Sequence, residues 1–415
     1  NVGEILNLLE YAKEFVQKPI SFSTLVRIAR KIQAMNLPPA KIDLGKLTYV
    51  YELTEEMNLN DFVENKLSGA YRSNGFQPKD VVLYGCGRIG RLLARELMSK
   101  TGKGLQMRLR AIVTRGEITE AVLEKRAALL RKDSVHGYFK GSVKVDVKNQ
   151  ALIINGTSVH MISSNAPENP DYTSYGIENA LVIDNTGAFR SEEELSRHLD
   201  ASGVDKVLLT APGTGSVPNI VYGVNQKNFC PDELSVFSAA SCTTNAITPV
   251  LKVINDAIGI KHGHIETIHA YTNDQNLVDN MHKKYRRGRA AAVNMVITET
   301  GAGKAVGKAL PELQGKLTSN AIRVPVPNGS LAILNLNLHA RTSKGDLNAI
   351  MKKYALEGDL VEQVRYSISN ELVSSDIVGV EEPAIFDSEA TIVSDDGMNA
   401  LVYVWYDNEY GYSHQ

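Results

Sequence analysis

A cysteine and a histidine carry the chemistry that this sequence offers. Cys242 lies in the run Ser241-Cys242-Thr243-Thr244-Asn245. Ahead of it, Leu234-Ser235-Val236-Phe237-Ser238 alternates apolar and polar residues as a strand does. Behind it, Ile247, Val250, Leu251, Ile254 and Ile258 fall at helical spacing. The pattern predicts Cys242 where a strand hands over to a helix N-terminus. The partial positive charge there favours thiolate, the nucleophilic form. His269 closes a second apolar run, Ile265-Glu266-Thr267-Ile268, and is the candidate base or imidazolium. Taken singly, the two read more readily as a small buried apolar residue and a satisfied core histidine. Such partners meet in space, not along the chain.

The elements that must position this pair are those of a nucleotide-binding fold followed by a second domain. Val81-Val82-Leu83-Tyr84 reads as a buried strand, and Gly85-Cys86-Gly87-Arg88-Ile89-Gly90 follows at once. A helix is expected over Arg91 to Met98, with Leu92, Leu93 and Leu97 on its apolar side, and a second strand over Met107 to Val113. Glycines in such a turn let the backbone approach a pyrophosphate, whose charge the helix N-terminus stabilises. Cys86 is read as a filler inside the turn. Further strands are expected at 143–147, 152–154 and 159–163, with Asn155-Gly156 as a hairpin turn. Leu181-Val182-Ile183-Asp184 and Lys206-Val207-Leu208-Leu209 resume the buried parallel pattern. Their ends, Asn185-Thr186-Gly187 and Thr210-Ala211-Pro212-Gly213, should line a cofactor cleft. From Cys242 onward a mixed sheet is expected, notably over 330–340, where apolar and polar residues alternate in part. The class is therefore α/β. A Rossmann-type domain occupies 80–241 and an α+β catalytic domain 242–415.

Several long runs, in order, resemble phosphorylating glyceraldehyde-3-phosphate dehydrogenases. They are Ser241 to Asn245, Thr267-Ile268-His269-Ala270-Tyr271-Thr272-Asn273-Asp274-Gln275, Tyr285-Arg286-Arg287-Gly288-Arg289-Ala290-Ala291-Ala292, and Trp405-Tyr406-Asp407-Asn408-Glu409-Tyr410-Gly411-Tyr412-Ser413. The resemblance runs from about Val81 to Ser413. It implies reversible oxidation of glyceraldehyde 3-phosphate, with inorganic phosphate, to 1,3-bisphosphoglycerate. Cys242 would be the nucleophile, passing through a hemithioacetal and a thioester, and His269 the base and acid. Thr272 and Arg323 match positions that hold the substrate's phosphate, and Arg287 lies between the two phosphate pockets. Ser241, Thr243, Thr300 and Gly301 match those around inorganic phosphate. Asn408 matches the residue that bonds the nicotinamide carboxamide, and Arg88, Ile89, Thr186, Gly187 and Thr210 join the glycines as cofactor residues. Arg286 and Arg289 are read as structural. Two alternatives stay open: an erythrose-4-phosphate dehydrogenase, and a retired enzyme scaffold acting as a binding or regulatory protein.

The resemblance also exposes departures that bear on the cofactor. Thr114 stands at the family's usual Asp position, followed by Arg115. An acid there binds the ribose 2′-hydroxyl of NAD and repels a 2′-phosphate. Asn280-Met281 replaces the usual Leu-Pro ahead of His282. NADP is expected to be accepted, and preferred over NAD. The competing reading turns Arg115 to solvent and gives the hydroxyl to Glu117.

At 415 residues, with 43% hydrophobic and 22% charged, the chain has ordinary globular composition and room for two domains. A formal charge of −2 leaves no electrostatic footprint for nucleic acid or an anionic membrane. The three cysteines give no disulfide framework and suit a reducing compartment, so a cytoplasmic location is expected. No apolar run approaches the ~20 residues that span a bilayer. No metal site is expected, and family members suggest a homotetramer. Residues 1–79 lie outside the resemblance. Ile5, Leu8, Leu9, Ala12, Phe15 and Val16 make one helical stripe, and Leu25, Ile28, Ala29 and Ile32 another, parted by Pro19 and closed by Leu37-Pro38-Pro39. With a third helix at about Asp61 to Leu67, this is a helical extension of three or so helices. The chain begins at Asn1 and stops before the family's last helix, so trimming at both ends is expected.

Overall fold

The computed structural model describes residues 2–38, 40–54, 57–71, 78–102 and 106–415. Two compact units divide the chain: Asn1–Pro78 with Thr101–Gln106, and Lys79–Lys100 with Met107–Gln415. In the first, α1 (Val2–Glu10) runs into a π-helical turn at Tyr11–Phe15, and α2 (Phe22–Met35), α3 (Leu44–Glu52) and α4 (Leu59–Tyr71) follow. Ile28, Leu59, Phe62 and Val63 are its buried centre. Helix α3 was not expected from the sequence. Its signal is Asp43, whose carboxylate caps the helix by accepting from the Lys46 amide at 2.8 Å, ahead of Leu44, Leu47, Val50 and Tyr51. Helix α2 stops at Met35 because Asn36 turns left-handed (φ 46°), before the prolines are reached. Pro39, part of the expected stop, lies outside the described residues.

The second unit opens with β1 (Lys79–Tyr84), α5 (Arg88–Lys100), β2 (Met107–Thr114) and α6 (Glu120–Arg131). A small pair follows, β3 (Lys132–Asp133) with β4 (Gly137–Tyr138), then β5 (Val143–Asp146), β6 (Ala151–Ile154) and β7 (Thr157–Ser163). Next come β8 (Ala180–Asp184), α7 (Glu192–Ser196), β9 (Val204–Leu209) and β10 (Val236–Ser238). Eight strands form one sheet in the order β10-β9-β8-β1-β2-β7-β6-β5. Those from β10 to β7 are parallel, and β6 and β5 pair antiparallel at the edge. The β6–β7 turn is Asn155-Gly156, both at positive φ (49° and 85°), as a two-residue hairpin requires. Strand order reverses direction about β1, and α5 starts there, so a crevice opens at the carboxyl ends of β1, β2 and β8.

Helix α8 (Cys242–Ala257) leads into the second layer of the unit. Its strands are β11 (Ile260–Ala270), β12 (Val296–Thr298), β13 (Leu317–Val324), β14 (Ser330–Leu338), β15 (Val364–Ser367), β16 (Ala384–Val393) and β17 (Asn399–Tyr406). They form a mixed sheet, β12-β13-β11-β14-β17-β16-β15, with α9 (Ala302–Ala309) and α10 (Lys344–Leu356) in the same segment. Val250, Leu251 and Ile254 of α8 are fully buried in one core with Leu334, Leu336, Val402 and Val404 of the sheet. Burial of each such side chain contributes roughly 1.5–3 kcal/mol, enough to fix the rotation and register of α8. The helix start, and Cys242 with it, is thereby held to one place. The short α11 (Tyr410–His414) returns to α5, where the Tyr410 hydroxyl donates to Glu96 at 3.1 Å.

Candidate active site

Cys242 is the first residue of α8, and Ser241 is its N-cap, accepting from the Thr244 amide at 3.0 Å. The expected hand-over from strand to helix holds, with Ala239 and Ala240 between β10 and the cap. Parallel pairing of β11 with β13 sets His269 opposite Arg323. The result brings Cys242 Sγ to 3.6 Å from His269 Nε2. Arg323 Nη1 lies 2.7 Å from His269 Nδ1 and donates to the Ala270 carbonyl at 2.8 Å. That carbonyl is also 2.7 Å from Nδ1. Nδ1 cannot donate to the carbonyl and accept from the guanidinium at once. With the proton on Nδ1, Nε2 faces the sulfur as an acceptor.

The electrostatics correct one expectation from the sequence, a resting thiolate. Burial pushes the Cys242 thiol up, and the pull of Arg323 and of the Cys242 and Thr243 amides works against it. Burial, with the positive charges of Arg323 and Arg287, holds His269 down to about 3. The resting pair is therefore thiol and neutral imidazole. Tyr406 lies beneath, its ring edge-on to His269 with centroids 5.9 Å apart and its hydroxyl 3.0 Å from Thr243 Oγ1.

Cys242, His269, Ser241, Thr272, Arg323 and Asn408 line one cleft of about 570 Å³, together with Arg88, Ile89 and Thr210. Sequence reasoning missed Arg190 and Tyr271, which line it too. Asn408 is buried, and its carbonyl accepts from the Ser330 hydroxyl at 2.8 Å, which leaves the amide nitrogen free to donate. Ser330 also accepts from the Ala270 amide at 3.1 Å, tying Asn408 to the strand that carries His269. Not every expected phosphate residue shares this cleft. Arg287, Thr300 and Gly301 line a neighbouring cavity of about 1140 Å³ with Lys283, Lys284 and Lys304. Arg287 is held there by Asp274 and by Thr298, at 3.0 Å from its Nε. The Thr243 hydroxyl turns inward to Tyr406.

The crevice over the Gly-rich turn is a further cavity, of about 450 Å³, lined by Gly85, Gly87, Thr114, Arg115 and Thr186 among others. Gly85 has φ 111°, and a Cβ on it would meet Asn185 and Thr186; a Cβ on Gly90 would meet the Gly85 carbonyl. The turn therefore packs directly against its helix and against the end of β8, leaving Gly87 open to the cavity. Gly187 and Gly90 do not line this cavity. The Arg88 side chain is engaged elsewhere: it donates to Glu409 at 2.5 and 2.6 Å and to Asp133 at 3.2 Å, so its guanidinium ties the turn to the segment carrying Asn408. What Arg88 offers a cofactor is the amide end of α5. Thr114 is 7% exposed, and its hydroxyl has no partner among the described residues. An open glycine turn at a helix start and a waiting hydroxyl at the end of β2 fit a dinucleotide. Among the described residues no group of His, Cys, Asp and Glu could hold a metal ion, and no helix is long and apolar enough to cross a membrane.

Comparison with known proteins agrees with this geometry. Residues 79–192 match the family model described as glyceraldehyde 3-phosphate dehydrogenase, NAD binding domain, and residues 241–408 match its C-terminal domain. A glyceraldehyde-3-phosphate dehydrogenase-like protein of Pseudomonas aeruginosa is 51% identical over 94% of this chain and 84% of its own length, a share that reaches into the helical unit. Glyceraldehyde-3-phosphate dehydrogenases of Kitasatospora aureofaciens and Bacillus subtilis (its enzyme 1) are each 40% identical over 81% of this chain, covering 96% and 95% of their own lengths. Both domains of one dehydrogenase are thus met in order around a cysteine–histidine pair, and the chain belongs to the glyceraldehyde-3-phosphate dehydrogenase family.

Proposed function

We propose that this protein oxidises glyceraldehyde 3-phosphate to 1,3-bisphosphoglycerate in the presence of inorganic phosphate, and that it takes NADP in preference to NAD. The observation that carries the reading is Cys242 Sγ at 3.6 Å from His269 Nε2 in a cleft shared with Arg323, Thr272 and Asn408. An aldehyde carbon is a poor hydride donor until a nucleophile adds to it. As the sulfur adds to the carbonyl, His269 Nε2 takes the thiol proton and returns a proton to the hemithioacetal oxygen or removes one from it as the cycle demands. When held over the turn of Gly85 and Gly87 and beside Thr114, NAD(P) would supply the hydride acceptor. Cys242 is left as a thioester, which inorganic phosphate opens, and the thiol is regained. Arg323 and Thr272 hold the substrate's phosphate, Arg323 through its planar fork. A phosphate on Arg323 draws that guanidinium away from His269 Nδ1 and leaves Nδ1 to the Ala270 carbonyl. Substrate binding thereby sets the tautomer that the attack requires. Ser241 in the Cys242 cleft, and Thr300, Gly301 and Arg287 in the neighbouring cavity, serve inorganic phosphate, the Thr243 hydroxyl being turned to Tyr406, and Asn408 orients the nicotinamide.

Preference for NADP is supported by Thr114 at the end of β2 and by the lack, among the described residues, of any carboxylate on the crevice wall; Glu117 is exposed and does not line it. Leu277, Val278, Met281, Tyr285, Val293 and Met295 are each two-thirds or more exposed within one loop segment. Such a patch supports association with further copies, and we take the assembly to be a homotetramer. All three cysteines are free, which fits a reducing, cytoplasmic setting.

The deciding experiment is a steady-state assay with glyceraldehyde 3-phosphate and erythrose 4-phosphate, with and without phosphate, with each cofactor. Phosphate-dependent oxidation of the triose is expected. A phosphate-independent rate favouring erythrose 4-phosphate would move the assignment to the hydrolytic relative, and no turnover with either aldehyde would leave a binding scaffold. For the cofactor, kcat/KM should favour NADP; tenfold preference for NAD, about 1.4 kcal/mol, would end that reading. A chain beginning at Pro78 is also expected to keep kcat/KM within about threefold of the full chain, because every proposed residue lies in the second unit. A folded, normally assembled but inactive truncation would show that the extension completes the site.

A further inference from the structure

Helix α6 lays Leu123, Ala127 and Leu130 into the core of the nucleotide domain. Arg126, one position before Ala127, is only half-buried and lines the crevice over the Gly-rich turn. Its Nη1 donates to the Cys86 carbonyl within that turn at 3.2 Å. This uses one of five N–H donors, and among the described residues no carboxylate pairs with Arg126 or with Arg115. A half-buried guanidinium without a counter-ion is costly, and the cost falls when an anion is brought to it. A second observation points to the same spot. Thr114, 7% exposed, is among the residues lining the cavity that both arginines line, and its buried hydroxyl has no hydrogen-bond partner among the described residues. In this fold the end of β2 is where the adenosine ribose lies.

We infer that Arg126, with Arg115 and the Thr114 hydroxyl, forms a pocket for the 2′-phosphate of the adenosine ribose, and that Arg126 is its principal anchor. The inference rests on the cofactor reading above and adds a residue to it that neither the Gly-rich motif nor the end of β2 points to. Arg126 reaches the site from a helix, so its guanidinium is positioned by packing, whereas Arg115 is exposed on a turn. A planar fork suits a phosphate better than a point charge would. The competing account makes Arg126 a strut that holds the turn through the Cys86 carbonyl.

Calorimetric titration of the full chain separates the two, using 2′,5′-ADP and 5′-AMP, which differ only in the 2′-phosphate, and NAD as a control. Wild type is expected to bind 2′,5′-ADP at least about tenfold tighter than 5′-AMP, and Arg126→Gln, which keeps an amide donor for the Cys86 carbonyl, to reduce that ratio to about twofold or less. Affinities for 5′-AMP and NAD should stay within about twofold, and Arg126→Lys should recover part of the ratio. An unchanged ratio in Arg126→Gln overturns the inference. So does a parallel loss of NAD and 5′-AMP binding, which is what a strut would give. The cofactor reading fails on a different measurement: if kcat/KM favours NAD while the fragment ratio still depends on Arg126, the pocket stands and the preference falls.

Discussion

Cys242→Ser is expected to lower aldehyde oxidation by at least about 10³-fold while leaving NAD(P) affinity within about twofold. Serine fits the position without strain. It is the first residue of α8, where the hydroxyl is a good helix-start group and slightly smaller than the thiol. The loss is therefore chemical. Burial already pushes the Cys242 thiol up, and a hydroxyl in that place is far harder to ionise. An alkoxide ester would also hand its acyl group to phosphate more slowly than a thioester does. The cradle for the dinucleotide, from Gly85 to Gly90 and at the end of β2, shares no hydrogen bond with Cys242, so binding has no reason to change. Single-turnover oxidation and cofactor titration on the same preparation check both halves. Residual turnover above ~1% of wild type would sink the covalent route.

The place of Cys242 at a helix start was legible in sequence because it is local: a strand, a cap and a helical stripe surround it within a few residues of one another. The Gly-rich turn was legible for the same reason. His269 was legible as a candidate, but its distance from Cys242 depends on the pairing of β11 with β13 and on the burial of α8, neither of which is written in a local pattern. Arg323 likewise gains its contact with His269 from strand register alone. Arg126 was overlooked because an arginine beside an apolar stripe reads as a solvated helix face; only the fold turns that face toward the crevice. The thiolate expectation failed on burial. A helix start lowers a thiol's pKa by a modest amount, and removing the sulfur from water outweighs it. Arg88 shows the same limit from another side. The motif marks it for the cofactor, while Glu409, distant in sequence, claims its guanidinium.

His269→Asn is expected to reduce oxidation at pH 7 by about 10²–10⁴-fold, and the loss should shrink as pH rises. Asparagine is of similar size and can still donate to the Ala270 carbonyl, so the strand contact survives. What disappears is the acceptor at Nε2. In wild type the imidazole is held down to about 3 and is neutral at pH 7, and in the proposed mechanism the thiol gives up its proton to it as the attack proceeds. Without that acceptor only thiolate formed by solvent can react. Because the thiol is pushed above its ordinary value, thiolate is scarce at neutral pH and becomes abundant only in alkali. The rising limb of the pH–rate profile should therefore move to higher pH in the variant, narrowing the gap to wild type without closing it, because the hemithioacetal proton is also moved by Nε2. Alkylation of Cys242 by iodoacetamide gives a readout free of substrate binding, and its pH dependence should shift in the same direction. A loss of equal size at every pH, with an unshifted alkylation profile, would reduce His269 to a structural residue. The proton would then have to leave by another path, and Tyr406 offers none, since its own hydroxyl is buried, pushed up and 3.0 Å from Thr243 Oγ1.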